Sequence, residues 1–547
     1  MDRRSAVVLL VVLGVGVFLT GLELMITAVA LPSILADLVD AAGTTAWLEL
    51  RKASWIINGF LLVYILAMPL AGRLADLWGV RRLFLGALAV FILGSVLAGA
   101  AQDLDQLIAA RLVQAVGGGV LVPVGTAAAA HLYDGHGRAR ALGVIGALTF
   151  LGMAAGPFLG AAILGSVHPG DALAGAGAGG GTAEALLAPA WRWIFYVNVP
   201  IGIAALALAW AASAGWETPR RRGRVDVAGA GLLGVALAAG LLALTLIGAA
   251  QIAGTDLPPA TVSLALGGLA VLATFAAVVR ALRTQDPFLD VRLFRSRAFS
   301  AAGLVSLLTG YAFATAIIGG AVFVGRVLYG GSDEQRAALG ALAGATAVGA
   351  LASGFLVRHA SYRLVTILGI ALSVAGLAAM AQWSAATDIV TASASLGAYG
   401  LGFGLSVTPR SAAAVEAAGR AAFGVASSVV TVARMIGMAI GLAILTAYGS
   451  TTIDRLSAEV YATPDAYLAH IPEALRDRPL RDPLVVEALE SWASREAASI
   501  MVGLFLVAGI VTLAALIPAL ALGGGRSRTD EARMLRRDAS EGPDASS

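Results

Sequence analysis

The feature that most constrains this chain is a succession of apolar runs, each about 20 residues long and set off by short polar stretches. A helix of that length crosses the roughly 30 Å hydrocarbon core of a bilayer. Inside hydrocarbon only a helix or a closed barrel satisfies every backbone polar group. A window of about 20 residues finds about fourteen such spans. Their limits fall near 6–33, 53–71, 83–101, 106–130, 141–165, 193–214, 227–250, 260–282, 299–324, 337–357, 364–383, 389–409, 423–448 and 498–522. The expected class is therefore an all-α polytopic membrane protein. Composition agrees, with 59% hydrophobic and only 13% charged residues, which excludes a string of ordinary soluble domains. The first run is too long for a signal peptide and has no small-residue cleavage site before Glu23, so it reads as a retained helix.

Charge placement sets an expected orientation. Arg3, Arg4, Arg73, Arg81, Arg82, Arg138, Arg140, the Arg220–Arg222 cluster, Arg358, Arg363 and the tail arginines fall on one side of the spans. The short loops of the other side hold only Arg51, Lys52, Arg192, Arg326 and Arg336. Basic loops stay in the cytoplasm, so both termini are expected there, with the protein in the cytoplasmic (inner) membrane. Ser166–Ala190 is rich in glycine and alanine and reads as a mobile outer loop. Residues 450–494 are polar, with Pro464, Pro472, Pro479 and Pro483, and read as a small external cap with short helices. The 523–547 stretch reads as a disordered cytoplasmic tail.

What is missing also bounds function. There is no cysteine, so neither a disulfide nor a thiolate metal site can form. The five histidines, His131, His136, His168, His359 and His470, lack ligand spacing, and no P-loop occurs. No metal, cofactor, nucleic-acid partner or enzymatic nucleophile–base set is expected. The bilayer is the one partner that composition implies.

Four stretches carry candidate chemistry. Gly72-Arg-Leu-Ala-Asp-Leu-Trp-Gly-Val-Arg-Arg-Leu83 sits between two spans and reads as a short loop. Gly72 and Gly79 permit tight turns and close helix approach. Asp76 has Arg73, Arg81 and Arg82 within reach, which fits either a charge latch or a plain positive-inside anchor. Span one carries Glu23 in Leu22-Glu-Leu-Met-Ile-Thr-Ala-Val-Ala-Leu-Pro32. An ionised Glu23 would cost several kcal/mol facing lipid, so it must face the interior, pair, or hold a proton. Span four carries Arg111-Leu-Val-Gln-Ala-Val-Gly-Gly-Gly119. Arg111 stays charged and needs a carboxylate or water; Glu23 is one candidate, and snorkelling toward Asp103 and Asp105 is the other. Span five carries Gly152, Gly156, Pro157 and Gly160, small residues for close packing and a proline kink. Gly354–Arg363 echoes Gly72–Arg82 without the aspartate, a faint repeat of the kind found in alternating-access transporters.

The Gly72–Leu83 stretch resembles the G-x-L-x-D-x-x-G-x-[RK]-[RK] loop of the major facilitator superfamily. Residues 22–32 resemble the span-one signature of its 14-span drug:proton antiporters (EmrB/QacA type), with Glu23 for aspartate, Met25 for threonine and Ala28 for asparagine. Arg111–Gly117 resembles R-x-x-Q-G-x-G, with Ala115 for a glycine, and Gly152–Ala161 resembles the exporters' antiporter motif. Trp191–Gly202, Pro287–Arg295 and Gly424–Gly437 also resemble the 14-span branch. The resemblance implies a first six-helix bundle over 1–214, two extra helices and a linker over 215–298, and a second bundle over 299–522 that includes the external segment. It implies proton-coupled efflux of drugs or other small amphipathic or lipophilic compounds, with that substrate and protons as partners, Glu23 and Arg111 coupling protons and Gly72, Asp76, Gly79, Arg81 and Arg82 forming a conformational latch. The expected cavity residues are Trp55, Asn58, Phe60, Gln114, Phe150, Met153, Tyr311 and Arg434. Residues 63–76 and 323–340 are also similar to mycobacterial triacylglyceride and drug exporters. The second reading is accordingly export of a lipid or glycolipid, with an envelope lipoprotein as partner. A membrane sensor without transport is the third.

Overall fold

The structure, a computed structural model, describes residues 3–39, 55–167, 182–218, 226–247, 257–419, 422–461, 466–479 and 481–523. Most of the glycine-rich 166–190 segment and the 523–547 tail lie outside the described residues. Among the described residues there is no strand, and fourteen helices are long and apolar enough to cross a membrane. They are α1 (Arg3–Leu38), α2 (Trp55–Trp78), α3 (Val80–Ala100), α4 (Leu104–Leu132), α5 (Gly135–Ser166), α6 (Ala190–Ala212) and α7 (Val227–Leu246). Then follow α8 (Pro259–Arg283), α9 (Arg297–Val322), α10 (Ser332–Leu356), α11 (Tyr362–Met380), α12 (Ile389–Ala418), α13 (Phe423–Tyr461) and α14 (Pro483–Ala514).

Two six-helix bundles emerge from the packing, and they repeat one another. In the first, α1 packs on α5 and α6, and α4 packs on both α2 and α3. In the second, α9 packs on α13 and α14, and α12 packs on both α10 and α11. Across the divide α2 meets α13 and α5 meets α10, again as equivalent pairs. The hairpin of α7 and α8 stands between the halves in sequence and outside them in space. Only Ala273 and Ala281 of α8 are buried, so nearly its whole surface is apolar and free to face lipid. Asp226 fixes the hairpin by capping α7 (Gly229 N donates at 3.0 Å) and by accepting from Arg280 Nε of α8 at 2.8 Å.

The Gly72–Leu83 stretch is not a loop. α2 continues through Arg73 and Asp76 to Trp78, and α3 begins at Val80, which leaves Gly79 alone to reverse the chain at φ 89°. A left-handed φ is cheap only for glycine. The helix persists because Ala71, Gly72, Ala75 and Asp76 form a buried face, and that face lies on α13. A side chain at Gly72 would collide with Gly424 O at 2.6 Å, and one at Gly424 would run into Gly72 O. Contact this close brings the Asp76 carboxylate onto the first turn of α13, where it accepts from Gly424 N (2.8 Å) and Val425 N (3.0 Å). The N-terminus of a helix offers unsatisfied N–H groups and a positive dipole end, so an aspartate is favoured there. Arg81, expected to serve Asp76, donates instead to Ser213 Oγ at 2.9 Å, and Arg82 is exposed. The equivalent α5–α10 contact is built from glycine alone: Gly143 would meet Ala350 O and Gly354 would meet Ala139 O, each at 2.9 Å.

Two helices outrun the bilayer. The apolar part of α13 ends at Leu445, yet the helix continues about 16 residues to Tyr461, or about 24 Å at 1.5 Å per residue. α14 begins at Pro483, well before the expected span at 498. Within the expected cap of 450–494 these two extensions carry most of the ordered chain, with 3₁₀ turns at Ala466–His470 and Glu473–Leu475 between them.

The close contact of α2 and α13 predicts that Asp76→Asn loosens one end of the interface, at a cost of about 0.3–2 kcal/mol. Because the chain has no native cysteine, spin labels at the exposed positions Trp78 and Ala417 can be placed cleanly. The wild-type distance distribution should be narrow and the Asp76→Asn distribution broad; identical distributions would show that the carboxylate does not hold the bundles together.

Candidate transport site

Glu23 and Arg111 do face each other. Glu23 lies in the middle of α1 and is fully buried; Arg111 lies one to two turns into α4 and is 1% exposed. Arg111 Nη1 donates to Glu23 Oε1 in a buried ion pair. Snorkelling toward Asp103 is excluded by this geometry, since Asp103 caps α4 by accepting from Gln106 N at 2.8 Å.

A connected polar network surrounds the pair. Thr27 Oγ1 donates to Glu23 Oε1 at 3.0 Å, and Asn198 Nδ2 of α6 donates to Glu23 Oε2 at 2.7 Å. Arg111 Nη1 also donates to Gln114 Oε1 at 2.6 Å, and Gln114 Nε2 donates on to Ser95 Oγ of α3 at 2.8 Å. The Phe60 ring lies 4.0 Å from the guanidinium carbon and the Phe195 ring 5.6 Å from it. Five helices thus contribute to one buried charge pair. In a low-dielectric interior each unmade hydrogen bond is costly, so the network is satisfied on nearly every side.

The expected span-five motif has a packing role in this arrangement. Gly152 backs onto Leu22 N (3.0 Å to a would-be side chain), Gly156 onto Met25 Cβ (2.7 Å) and Gly160 onto Ile26 Cγ1 (3.1 Å). These are the α1 residues that flank Glu23. Pro157 lies inside α5 without ending it. The glycines therefore set how closely α5 approaches the helix that carries the carboxylate.

The remaining expected cavity residues divide in two. Phe60 and Gln114 belong to the Glu23–Arg111 network. Phe150, Met153, Tyr311 and Arg434 lie at the seam between the bundles, where Phe150 of α5 packs edge-on against Phe313 (5.5 Å) and Phe403 (5.6 Å) of the second half. The Arg434 guanidinium sits 5.6 Å from the Phe150 ring. Asn58 is half-buried, and Trp55 is 44% exposed and joins neither group.

Two residues of the centre escape a reading of the sequence. Nothing in the sequence around Asn198, near the start of α6, ties it to Glu23, 175 residues away. Arg410 terminates the apolar window at 409, yet α12 runs on to Ala418 and Arg410 is 1% exposed. It donates to Thr309 Oγ1 of α9 and stands 5.1 Å from the Phe403 ring. The only signal available was Arg410 itself, since Ser411–Val415 returns to small apolar residues before Glu416.

The sequence profile of the Major Facilitator Superfamily matches residues 13–442. The chain belongs to this superfamily. Curated relatives of this major facilitator protein include a triacylglyceride transporter of Mycolicibacterium hassiacum, 33% identical over 83% of this chain and 82% of its own. A triacylglyceride transporter of Mycolicibacterium smegmatis is 30% identical over 94% of this chain and 87% of its own. Among solved structures, the human organic anion transporter TETRAN superposes with a TM-score of 0.58 at 15% identity, over 94% of this chain and all of the other. The proton:xylose symporter XylE gives 0.57 at 12% identity, over 98% of this chain and all of the other. These structural likenesses establish the fold, whereas the superfamily match and the curated relatives make the chain a multi-pass membrane transporter.

Removing one partner of a buried ion pair leaves a bare charge and costs about 3–5 kcal/mol. Arg111→Ala should therefore lower the unfolding temperature in detergent sharply, and the double change Glu23→Gln with Arg111→Gln should recover much of the loss. Asn198→Leu should cost less, about 1–3 kcal/mol, since it strips one hydrogen bond from Glu23. Wild-type melting of Arg111→Ala would show that the pair adds nothing to the fold.

Proposed function

We propose that this protein moves an acyl lipid across the cytoplasmic membrane, with Glu23 and Arg111 linking transport to protons. The observation that carries the substrate class is the similarity, nearly end to end, to relatives named triacylglyceride transporters. That similarity favours the lipid reading over efflux of drugs, the first expectation from sequence. The aromatic seam of Phe150, Phe313 and Phe403 supports the same reading, since parting of the bundles would bare for an acyl chain the apolar faces that are buried against one another here.

The proton step rests on the buried pair. Protonation of Glu23 cancels the charge that holds Arg111, so the network can re-form around a neutral acid only with different partners. A two-state element of this kind is what an alternating-access carrier needs. The Asp76 contact then acts as the latch for the state in which α2 and α13 are closed at the arginine-rich end. On the positive-inside rule that end is cytoplasmic, as are both termini. The proposal needs no envelope lipoprotein. The glycine–proline pattern at 152–160 is the observation that still favours drug antiport as the second reading.

The test is transport in proteoliposomes with an imposed pH gradient, read with a fluorescent triacylglyceride and, in parallel, a lipophilic cationic dye. Lipid movement that depends on the gradient and is lost in Glu23→Gln is expected. Movement of the dye without the lipid would overturn the substrate class, and a full rate in a well-folded Glu23→Gln variant would overturn the proton role.

A further inference from the structure

Glu23 is the only carboxylate among the described residues at the middle of a span near the bundle seam, and Arg111 occupies it. Two further arginines share the centre. Arg434 lies in the middle of α13's membrane segment and Arg410 two turns inside the end of α12. The rings they stand beside, Phe403 for Arg410 and Phe150 for Arg434, pack edge-on at 5.6 Å, so both cations border one aromatic cluster. Neither forms an ion pair among the described residues. Arg410 has the Thr309 hydroxyl as partner, and Arg434 has an aromatic ring. The Arg434 Nε is shut away from solvent without a hydrogen-bond partner, although the side chain as a whole keeps some exposure. The hydroxyl of fully buried Tyr399 is also unpartnered, and the Tyr399 ring stacks on Phe403, the ring beside Arg410, at 6.3 Å.

Two guanidinium groups held in hydrocarbon without a counter-charge are far from their preferred surroundings. Arg111 and Arg192, by contrast, have compensation built in: Arg111 has Glu23, and Arg192 has Asp37 together with the carbonyls of Gly99 and Ala101. The Arg410–Arg434 site instead has unused donors around an aromatic wall. Phe150 of α5 comes from the first bundle; Phe313, Phe403, Tyr399 and both arginines come from the second.

We propose that this site binds the oxyanion of an amphiphile, a carboxylate or a phosphate ester, whose acyl chain lies along the Phe150–Phe313–Phe403 wall. Arg410 and Arg434 supply the charge, and the free Arg434 Nε and Tyr399 hydroxyl supply hydrogen bonds. Because the donors belong to the second bundle and part of the wall to the first, the ligand contacts both halves. Its presence or absence therefore weighs on the seam that has to open and close. The proposal deepens the acyl-lipid reading and rests on it for the chemistry of the chain. It adds to that reading a preference, at this one site, for acyl lipids with an anionic group over neutral ones.

The experiment measures binding to the full chain in neutral detergent micelles, with oleate, oleoyl lysophosphatidate, trioleoylglycerol and sodium chloride as probes. Oleate, lysophosphatidate or both should bind, and their relative affinity tells carboxylate from phosphate. Arg434→Gln and Arg410→Gln should each weaken anion binding by about ten- to a hundredfold. Arg434→Lys keeps the charge and should retain part of the affinity. Melting curves identify any variant that fails to fold, and the comparison of the four probes on wild-type protein stands without variants. Trioleoylglycerol binding as tightly as the anions, or anion binding indifferent to both arginines in folded variants, overturns the proposal and leaves the acyl-lipid reading intact. Chloride competing as well as the acylated anions also overturns it. Anions bound at this site while no lipid is transported would instead support the site and count against the transport reading.

Discussion

A charge inside a bilayer has to be answered by another charge, and in this protein that demand organises the first bundle. Glu23 and Arg111 sit on different helices, so their pairing fixes α1 against α4. The hydrogen bonds that complete the pair draw in α3 through Ser95 and α6 through Asn198. The glycines of α5 let that helix close over the residues beside Glu23. A van der Waals interface alone would tolerate sliding, because lipid is as apolar as the helices it surrounds. A buried network with directional bonds does not tolerate it.

The second bundle repeats the helix packing of the first but not its chemistry. Its equivalent helices cross in the same pattern, yet among the described residues Arg410 has a hydroxyl for partner and Arg434 an aromatic ring, and neither has an acid. The cross-bundle contacts show the same division. On one side Asp76 binds the start of α13, whereas on the equivalent side Gly143 and Gly354 only pack. A duplicated scaffold thus carries two different electrostatic devices, one satisfied within the chain and one open to a ligand.

Helix existence was legible in the sequence because hydrophobicity is a local and additive property. A window sees it without knowing what packs where, and the fourteen spans follow. Helix ends were less legible wherever a charged residue belongs inside a helix. Arg73 and Asp76 look like a loop, and Arg410 looks like a terminus, because a window cannot tell a charge facing water from a charge facing the protein interior. The α13 extension is the converse case: helix formation there follows backbone hydrogen bonding and does not require the bilayer.

The sequence by itself determined the class of fold, the number of spans, and the presence of Glu23 and Arg111 as charges that must be resolved in the interior. It also carried the superfamily's pattern in 72–82 and 111–117. Only the tertiary structure decided which charges are resolved within the chain and which are not. Pairing depends on the direction and depth of side chains on helices far apart in sequence, as with Asn198 reaching Glu23 across 175 residues. The same holds for Arg434, whose position at mid-span was visible in the chain. That it faces a phenylalanine ring of the other bundle, with no ion pair among the described residues, follows only from how the two bundles meet.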